Sequence, residues 1–318
     1  MSAVRHNFAP SLPILPQHGR MKHLLLFFAA CSILPAQDAF QVKVSGHGQP
    51  IILIPGLSSG GETWDSTVAH YTGAQYKDRF ECHVLTVAGF NGVPRIPAPM
   101  LSTVRDSLAA YIRDKKLVKP VIVGHSLGGF LALDLGSRYP DLVGPLVIVD
   151  AYPFMAGIAD SSTTPAQAEE QAGQMRKYIG GQSKDMYERY VKSGIGTRML
   201  TTKDPDFEKL IEWGLKSDQS AVSDAMAEMF MVDLRGDLPK IKTRTLVMGS
   251  WIGYKDYTDR AKTEANLKAQ YAKLAGVEIR ITDTARHFIM WDDPDWMFAQ
   301  MDPFLNASVK SSASASRR

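Results

Sequence analysis

From residue 40 onward, short continuous apolar runs alternate with longer segments of helical period. Gln41–Ser45 alternates weakly between polar and apolar and predicts a first strand. Ile51–Ile54 is apolar throughout and stops at Pro55-Gly56, the pattern of a buried strand opening into a loop. Thr63–Tyr76 predicts an amphipathic helix and Cys82–Val87 a further buried strand. Pro94, Pro97 and Pro99 stiffen the loop that follows. Leu101–Asp114 reads as a helix, Val121–Val123 as a strand, Leu127–Tyr139 as a helix ended before Pro140, and Leu146–Val149 as an apolar strand. Thr245–Met248 and Val277–Ile281 repeat the strand pattern, with Ala261–Leu274 helical between them and Asp295–Leu305 as the closing helix. Strands apolar on both faces, separated by helices, belong to a mostly parallel sheet covered on both sides, so the fold class is α/β.

Residues 155–235 interrupt this alternation. They are helical, broken at Gly180-Gly181 and Gly194, and hold seven of the fourteen methionines. They predict a helical cap inserted between two halves of the core, 40–154 and 236–306, with Asp233-Leu234-Arg235 making the return turn. The cap methionines fit either its own packing, the simpler reading, or an adaptable apolar pocket. Trp213 and Trp251 are candidates to line such a pocket. The Ser/Ala-rich stretch 307–318 predicts a disordered tail.

Residues 1–39 have a different character. Residues 1–20 contain Pro10, Pro13 and Pro16 and no apolar period. Met21-Lys22, the eleven-residue apolar run Leu24–Leu34, and then Pro35, Ala36 and Ala39 have the layout of a signal peptide. It predicts translation from Met21, cleavage near Ala36 or Ala39, and export to the periplasm or beyond. The run is too short to span a bilayer, which takes about 20 residues. Cys31 after Phe28-Ala29-Ala30 resembles a bacterial lipoprotein site, with Phe where Leu usually stands.

With 45% apolar and 22% charged residues, the chain is an ordinary globular one rather than a fibrous or wholly disordered one. The net charge of +3 comes entirely from Arg5, Arg20 and Lys22; the rest holds 33 residues of each sign. No basic patch calls for nucleic acid. The cysteines are Cys31 and Cys82, and Cys82 alone can form neither an internal disulfide nor a multi-cysteine metal site.

Chemistry concentrates at Val121-Ile122-Val123-Gly124-His125-Ser126-Leu127-Gly128-Gly129. A strand runs into G-x-S-x-G and a helix follows at once, which sets Ser126 on a tight turn with its hydroxyl exposed. Together with Pro55-Gly56-Leu57 after the second strand and Ala285-Arg286-His287-Phe288 after the last, this resembles the α/β-hydrolase fold family over roughly residues 40–306.

A serine hydroxyl needs a base to take its proton during attack. Five histidines lie beyond the signal segment: His47, His70, His83, His125 and His287. His47 sits in a Gly-His-Gly turn; His70 and His83 read as packing residues, and His125 as packing inside the elbow. His287 stands where the family keeps its catalytic histidine. The partner acid is open between two positions. Most relatives place it in a Gly-x-x-Asp after the strand corresponding to Thr245–Met248, but this chain has Gly249-Ser250-Trp251-Ile252, and the next acid is Asp256. Others place it after the preceding strand, where Asp150 stands, and Asp150 is the preferred reading. Asp283 and Asp292 flank the histidine and are read as serving its loop.

The resemblance further implies an oxyanion hole from the backbone N–H groups of Leu57 and Leu127, with Ser58 and Ser59 as possible hydroxyl donors. It implies cleavage of carboxylic esters in a small, apolar substrate, with no cofactor and no metal. Lactone, amide or carbon–carbon hydrolysis, and a non-catalytic binding protein of the same fold, are the alternatives. Ser126 excludes family members with an aspartate nucleophile. The chain has no dinucleotide-binding glycine turn, Walker loop or His-Glu-x-x-His helix.

Overall fold

The computed structural model describes the backbone of residues 38–315 and side chains as far as Asn306. The expected signal segment, with Cys31 and Ala36, lies outside the described residues. Ala39, the other expected cleavage point, is buried, and its carbonyl accepts a hydrogen bond from Ala88 N–H at 3.0 Å.

The strands are β1 (Phe40–Gly46), β2 (Gln49–Ile54), β3 (Phe80–Val87), β4 (Val121–His125), β5 (Leu146–Val149), β6 (Thr245–Gly249) and β7 (Glu278–Ile281). They form a seven-stranded sheet in the order β1-β3-β2-β4-β5-β6-β7. β1 runs antiparallel to β3, and all other neighbours are parallel. β4, β5 and β6 are buried at every position, as continuous apolar runs in a covered parallel sheet must be.

Successive side chains of these strands enter opposite layers, because a strand's period is two. Ile52, Ile54, Ile122, Leu146, Ile148 and Val247 pack into one core. Ile51, Leu53, Val121, Val123, Val149 and Met248 pack into the other. The first core is roofed by α2 (Met100–Asp114), α3 (Leu127–Arg138) and α8 (Arg260–Gln270), the second by α1 (Asp65–Thr72) and α10 (Pro294–Ala315). The one-turn helix α9 (Ile289–Asp292) follows the last strand.

Two elements differ from expectation. The single helix predicted over Thr63–Tyr76 is a 3-10 turn at Gly61–Trp64, then α1, then another 3-10 turn at Ala74–Tyr76. The break falls at Gly73, whose backbone is extended (φ −71°, ψ 175°). The tail expected to be disordered from 307 instead continues α10 through Ala315. Beyond Pro303 the tail has neither glycine nor proline, and its alanines are the strongest helix formers, so nothing local ends the helix.

Between β5 and β6 come α4 (Pro165–Gly180), α5 (Lys184–Ser193), α6 (Asp204–Lys216) and α7 (Gln219–Met231), the helical insertion expected there. The glycine breaks are helix ends: α4 finishes at Gly180, and Gly194, at φ +63°, closes α5 with the left-handed residue that glycine supplies without strain. The return turn is structural. Arg235 forks onto Asp233 and lies over the Phe154 ring, while Leu234 is buried. Among the described residues, no helix is long and apolar enough to cross a membrane.

One buried charge fastens the insertion to the core. Pro99 precedes α2 and offers no capping side chain. Glu228 of α7 caps it instead, its two carboxylate oxygens accepting the N–H groups of Met100 and Leu101 at 2.7 and 2.8 Å. Glu228→Gln replaces one acceptor with a second donor inside a buried site. It should lower the unfolding free energy by about 1–3 kcal/mol, measured as a drop in urea midpoint at unchanged slope.

Candidate active site

The elbow between β4 and α3 places Ser126 at φ +53°, ψ −118°, a strained conformation for a residue with a side chain. Its N–H bonds the Val149 carbonyl at 2.9 Å, and its own carbonyl accepts from Phe130 N–H at 3.0 Å. The flanking glycines are steric necessities. A Cβ on Gly124 would stand 2.1 Å from the Gly128 carbonyl oxygen, and one on Gly128 would stand 2.2 Å from that of Ile54. The Pro55–Ser59 loop lies against the elbow, since a Cβ on Gly56 would come within 3.3 Å of Ser126 Cβ. Leu57 lines the same cavity as Ser126. Ser59 is not free to donate into it, because its hydroxyl is bonded to the Leu57 carbonyl at 3.1 Å.

His287 follows β7, and its Nδ1 lies 2.6 Å from Asp150 Oδ2. Of the two positions open for the acid, the structure brings Asp150 to the histidine. Asp256 stands exposed in the loop after β6. Asp150 ends β5 in a left-handed conformation (φ +47°), with its N–H bonded to the Met248 carbonyl at 2.7 Å. Its carboxylate, 7% exposed, also accepts from Ser250 N–H at 2.8 Å and Ser250 Oγ–H at 2.9 Å. Burial and the Asp150 charge push the Tyr254 hydroxyl up to about 12 and raise that of Tyr152 as well, so both stay protonated.

The remaining histidines separate clearly. His70 pairs with Asp302 and stacks on Phe298; His83 bridges Tyr111 and Glu81; His47 is an exposed turn residue. His125 does more than fill space. It is fully buried, and its Nε2–H donates to the His287 carbonyl at 3.0 Å. Burial holds its imidazole well below the usual value, and the neighbouring His287 adds to the shift, so it is neutral.

Ser126, Asp150 and His287 open onto one cavity of about 620 Å³. Leu57, Phe130, Met155, Val191, Met226 and Met229 supply much of its apolar wall. Three of the seven cap methionines therefore face the cavity, while Met186 and Met231 are exposed. Neither tryptophan lines it. Trp213 is buried beside Trp291, and Trp251 donates its indole N–H to Asp283 at 2.8 Å. Among the described residues, Asp150 is the only carboxylate in the wall and Lys262 the only lysine or arginine.

Residues 51–300 match the sequence profile of the Alpha/beta hydrolase family. The chain is 24% identical over 276 residues to N-formylmaleamate deformylase of Pseudomonas putida, covering 83% of this chain and 91% of that protein. It is 28% identical over 114 residues to a pimeloyl-[acyl-carrier protein] methyl ester esterase of Vibrio cholerae, covering 36% of this chain and 41% of that protein. The crystal structure of the enol-lactonase from Burkholderia xenovorans LB400 superposes with a TM-score of 0.65 at 16% identity, covering 84% of this chain and 96% of that one, and shows the shared fold. The protein belongs to the alpha/beta hydrolase family and is a hydrolase.

Sequence reasoning missed Ser250. Its one signal is the failed Gly-x-x-Asp after β6, where a small donor replaces the expected acid motif. Hydrogen bonds to a charged group contribute about 1.5–3 kcal/mol, so Ser250→Ala should lower kcat about ten- to a hundredfold. Steady-state rates on an ester substrate check this.

His125 generates a stability prediction. Its folded value lies below the unfolded 6.5, so its contribution is present above that pH and is lost as pH falls through and below it. The loss should reach about 1.4 kcal/mol per pH unit. His125→Gln, which keeps a donor for the His287 carbonyl, should flatten that slope in urea titrations between pH 5 and 7.

Proposed function

We propose that the protein is a serine hydrolase that cleaves carboxylic esters through Ser126, His287 and Asp150. The observation that carries this reading is the 2.6 Å contact from His287 Nδ1 to Asp150 at the wall of the cavity that Ser126 enters from its strained turn. In this reading His287 Nε2 takes the Ser126 proton as Oγ attacks the carbonyl carbon. The oxyanion is held by the N–H groups of Leu57 and Leu127, each such donor being worth about 2.7–4 kcal/mol of barrier. The proton passes to the leaving oxygen, and the alcohol departs from an acyl-enzyme. Water then adds to the acyl carbon, its proton going to His287, and the acid leaves as that proton returns to Ser126 Oγ. Asp150 keeps Nδ1 protonated and stabilises the imidazolium.

The relatives, a deformylase, a methyl ester esterase and an enol-lactonase, support hydrolysis. The apolar wall supports a substrate with a sizeable apolar part. We also read the signal-like segment 21–39 as export to the periplasm or beyond, which N-terminal sequencing of the mature protein tests.

The test is hydrolysis of p-nitrophenyl esters from acetate to palmitate by wild type, Ser126→Ala, Asp150→Asn and Asp256→Asn. Ser126→Ala should be inactive, Asp150→Asn should lose about 10³- to 10⁴-fold in kcat, and Asp256→Asn should match wild type. Full activity in Ser126→Ala, or loss confined to Asp256→Asn, overturns the assignment. An inactive wild type that still reacts with a fluorophosphonate moves the reading to lactone, amide or carbon–carbon bonds; no reaction with either overturns Ser126 as the nucleophile.

A further inference from the structure

The turn that carries His287 is gripped on three successive residues, from three parts of the molecule. Arg286 N–H is accepted by Asp292 Oδ2 at 2.8 Å. The His287 carbonyl accepts from His125 in the elbow at 3.0 Å. Phe288 N–H is accepted by the carbonyl of Leu200, in the cap, at 2.9 Å.

Asp292 joins the first of these grips to the third. Its other oxygen, Oδ1, accepts from Thr201 Oγ1–H, Thr202 N–H and Thr202 Oγ1–H, each at 2.8 Å. Three further bonds run alongside. The Arg286 guanidinium donates to the carbonyls of Arg198 and Thr201, and the Lys203 ammonium donates to the Trp291 carbonyl. The stretch 198–203 connects α5 to α6, and its Leu200 lines the substrate cavity. Asp292, Thr201 and Thr202 do not. One carboxylate thus takes four hydrogen bonds, one from the histidine turn and three from the cap. Holding the turn alone requires only the first.

We propose that Asp292 is a positioning residue that makes the seating of the cap a condition for the alignment of His287. It does so by holding segment 198–203 against the turn that carries the imidazole. The proposal rests on the reading of His287 as the base. A cap displaced from its seat pulls on Phe288 through Leu200 and on Arg286 through Asp292. The ring between them then shifts against Ser126, while Asp150, fixed by Ser250 on the far side, stays in place. The cap therefore takes part in rate as well as in substrate fit, through a group that touches no substrate.

The experiment compares wild type, Asp292→Asn and the cap-side pair Thr201→Val/Thr202→Val, with Glu228→Gln as a variant that lowers stability at the start of α2 and leaves the bonds between segment 198–203 and the histidine turn intact. kcat and KM on the best ester, the rate of fluorophosphonate labelling and the low-field proton resonance of the His287–Asp150 bond are measured for each. Misplacement of a catalytic group costs about tenfold to hundredfold. Asp292→Asn and the threonine pair should lose that much in kcat and in labelling rate, with KM changed less than threefold by the same criterion. Their low-field resonance should shift or broaden. Glu228→Gln should lose stability and keep its kcat. Wild-type kcat and an unmoved resonance in Asp292→Asn and the threonine pair, whatever their melting temperature, overturn the proposal; so does an effect confined to KM. If Asp292→Asn does not fold, the threonine pair decides. A wild type that neither hydrolyses nor labels refutes the catalytic reading itself, and the resonance comparison still decides whether the cap sets the histidine.

Discussion

A carboxylate taken out of water must find hydrogen-bond donors in the protein, or it is costly to keep there. Asp150 meets that demand with three: His287 Nδ1–H, Ser250 N–H and Ser250 Oγ–H. These groups follow the ends of three adjacent parallel strands, β5, β6 and β7. The site exists only because those strands are in register, with Val149 opposite Met248 and Gly249 opposite Ile281. The same register sets Ser126 beside the pair, since His125 lies opposite Val149 and Ser126 N–H bonds the Val149 carbonyl. The sheet's carboxyl edge is therefore the frame of the chemistry. The two apolar cores that press on the sheet hold the carboxylate in place from a distance.

The features legible in the sequence share a physical basis: each is local. Apolar runs of four to six residues declare buried parallel strands, because both faces must be apolar. The elbow is legible because its turn has no room for side chains at Gly124 and Gly128, so the chemistry leaves its mark in neighbouring letters. His287 is legible by its place after the last strand. The expected return turn at Asp233-Leu234-Arg235 is likewise a short-range ion pair, two residues apart.

What stayed hidden depends on partners far away in sequence. Asp150 and Asp256 each follow a strand, and only the bond to a residue 137 positions away separates them. Ser250 braces Asp150 across 100 positions, and Glu228 caps α2 across 128. No spacing rule detects such pairs. Trp213 and Trp251 were attractive pocket residues because indoles are large, yet each is satisfied elsewhere, one in a packed cluster and one on Asp283. The tail misled for a different reason: serine and alanine enrichment suits disorder and helix alike, and composition alone does not choose between them.

The position of the acid also bears on how the cap is attached. Asp150, the carboxylate that meets His287, ends β5 at the point where the chain leaves the core for the cap. The return from the cap enters β6 and delivers Ser250 to that same carboxylate. The cap's first and last connections thus converge on one side of the histidine, while segment 198–203 reaches the other side through Leu200 and Asp292. A shift of the cap therefore bears on the turn that carries His287 from one side, while the core holds that turn from the other. Interiors packed to native density transmit such displacements instead of absorbing them. Leu200 joins the cavity wall to that turn: it lines the cavity, and its carbonyl accepts from Phe288 N–H.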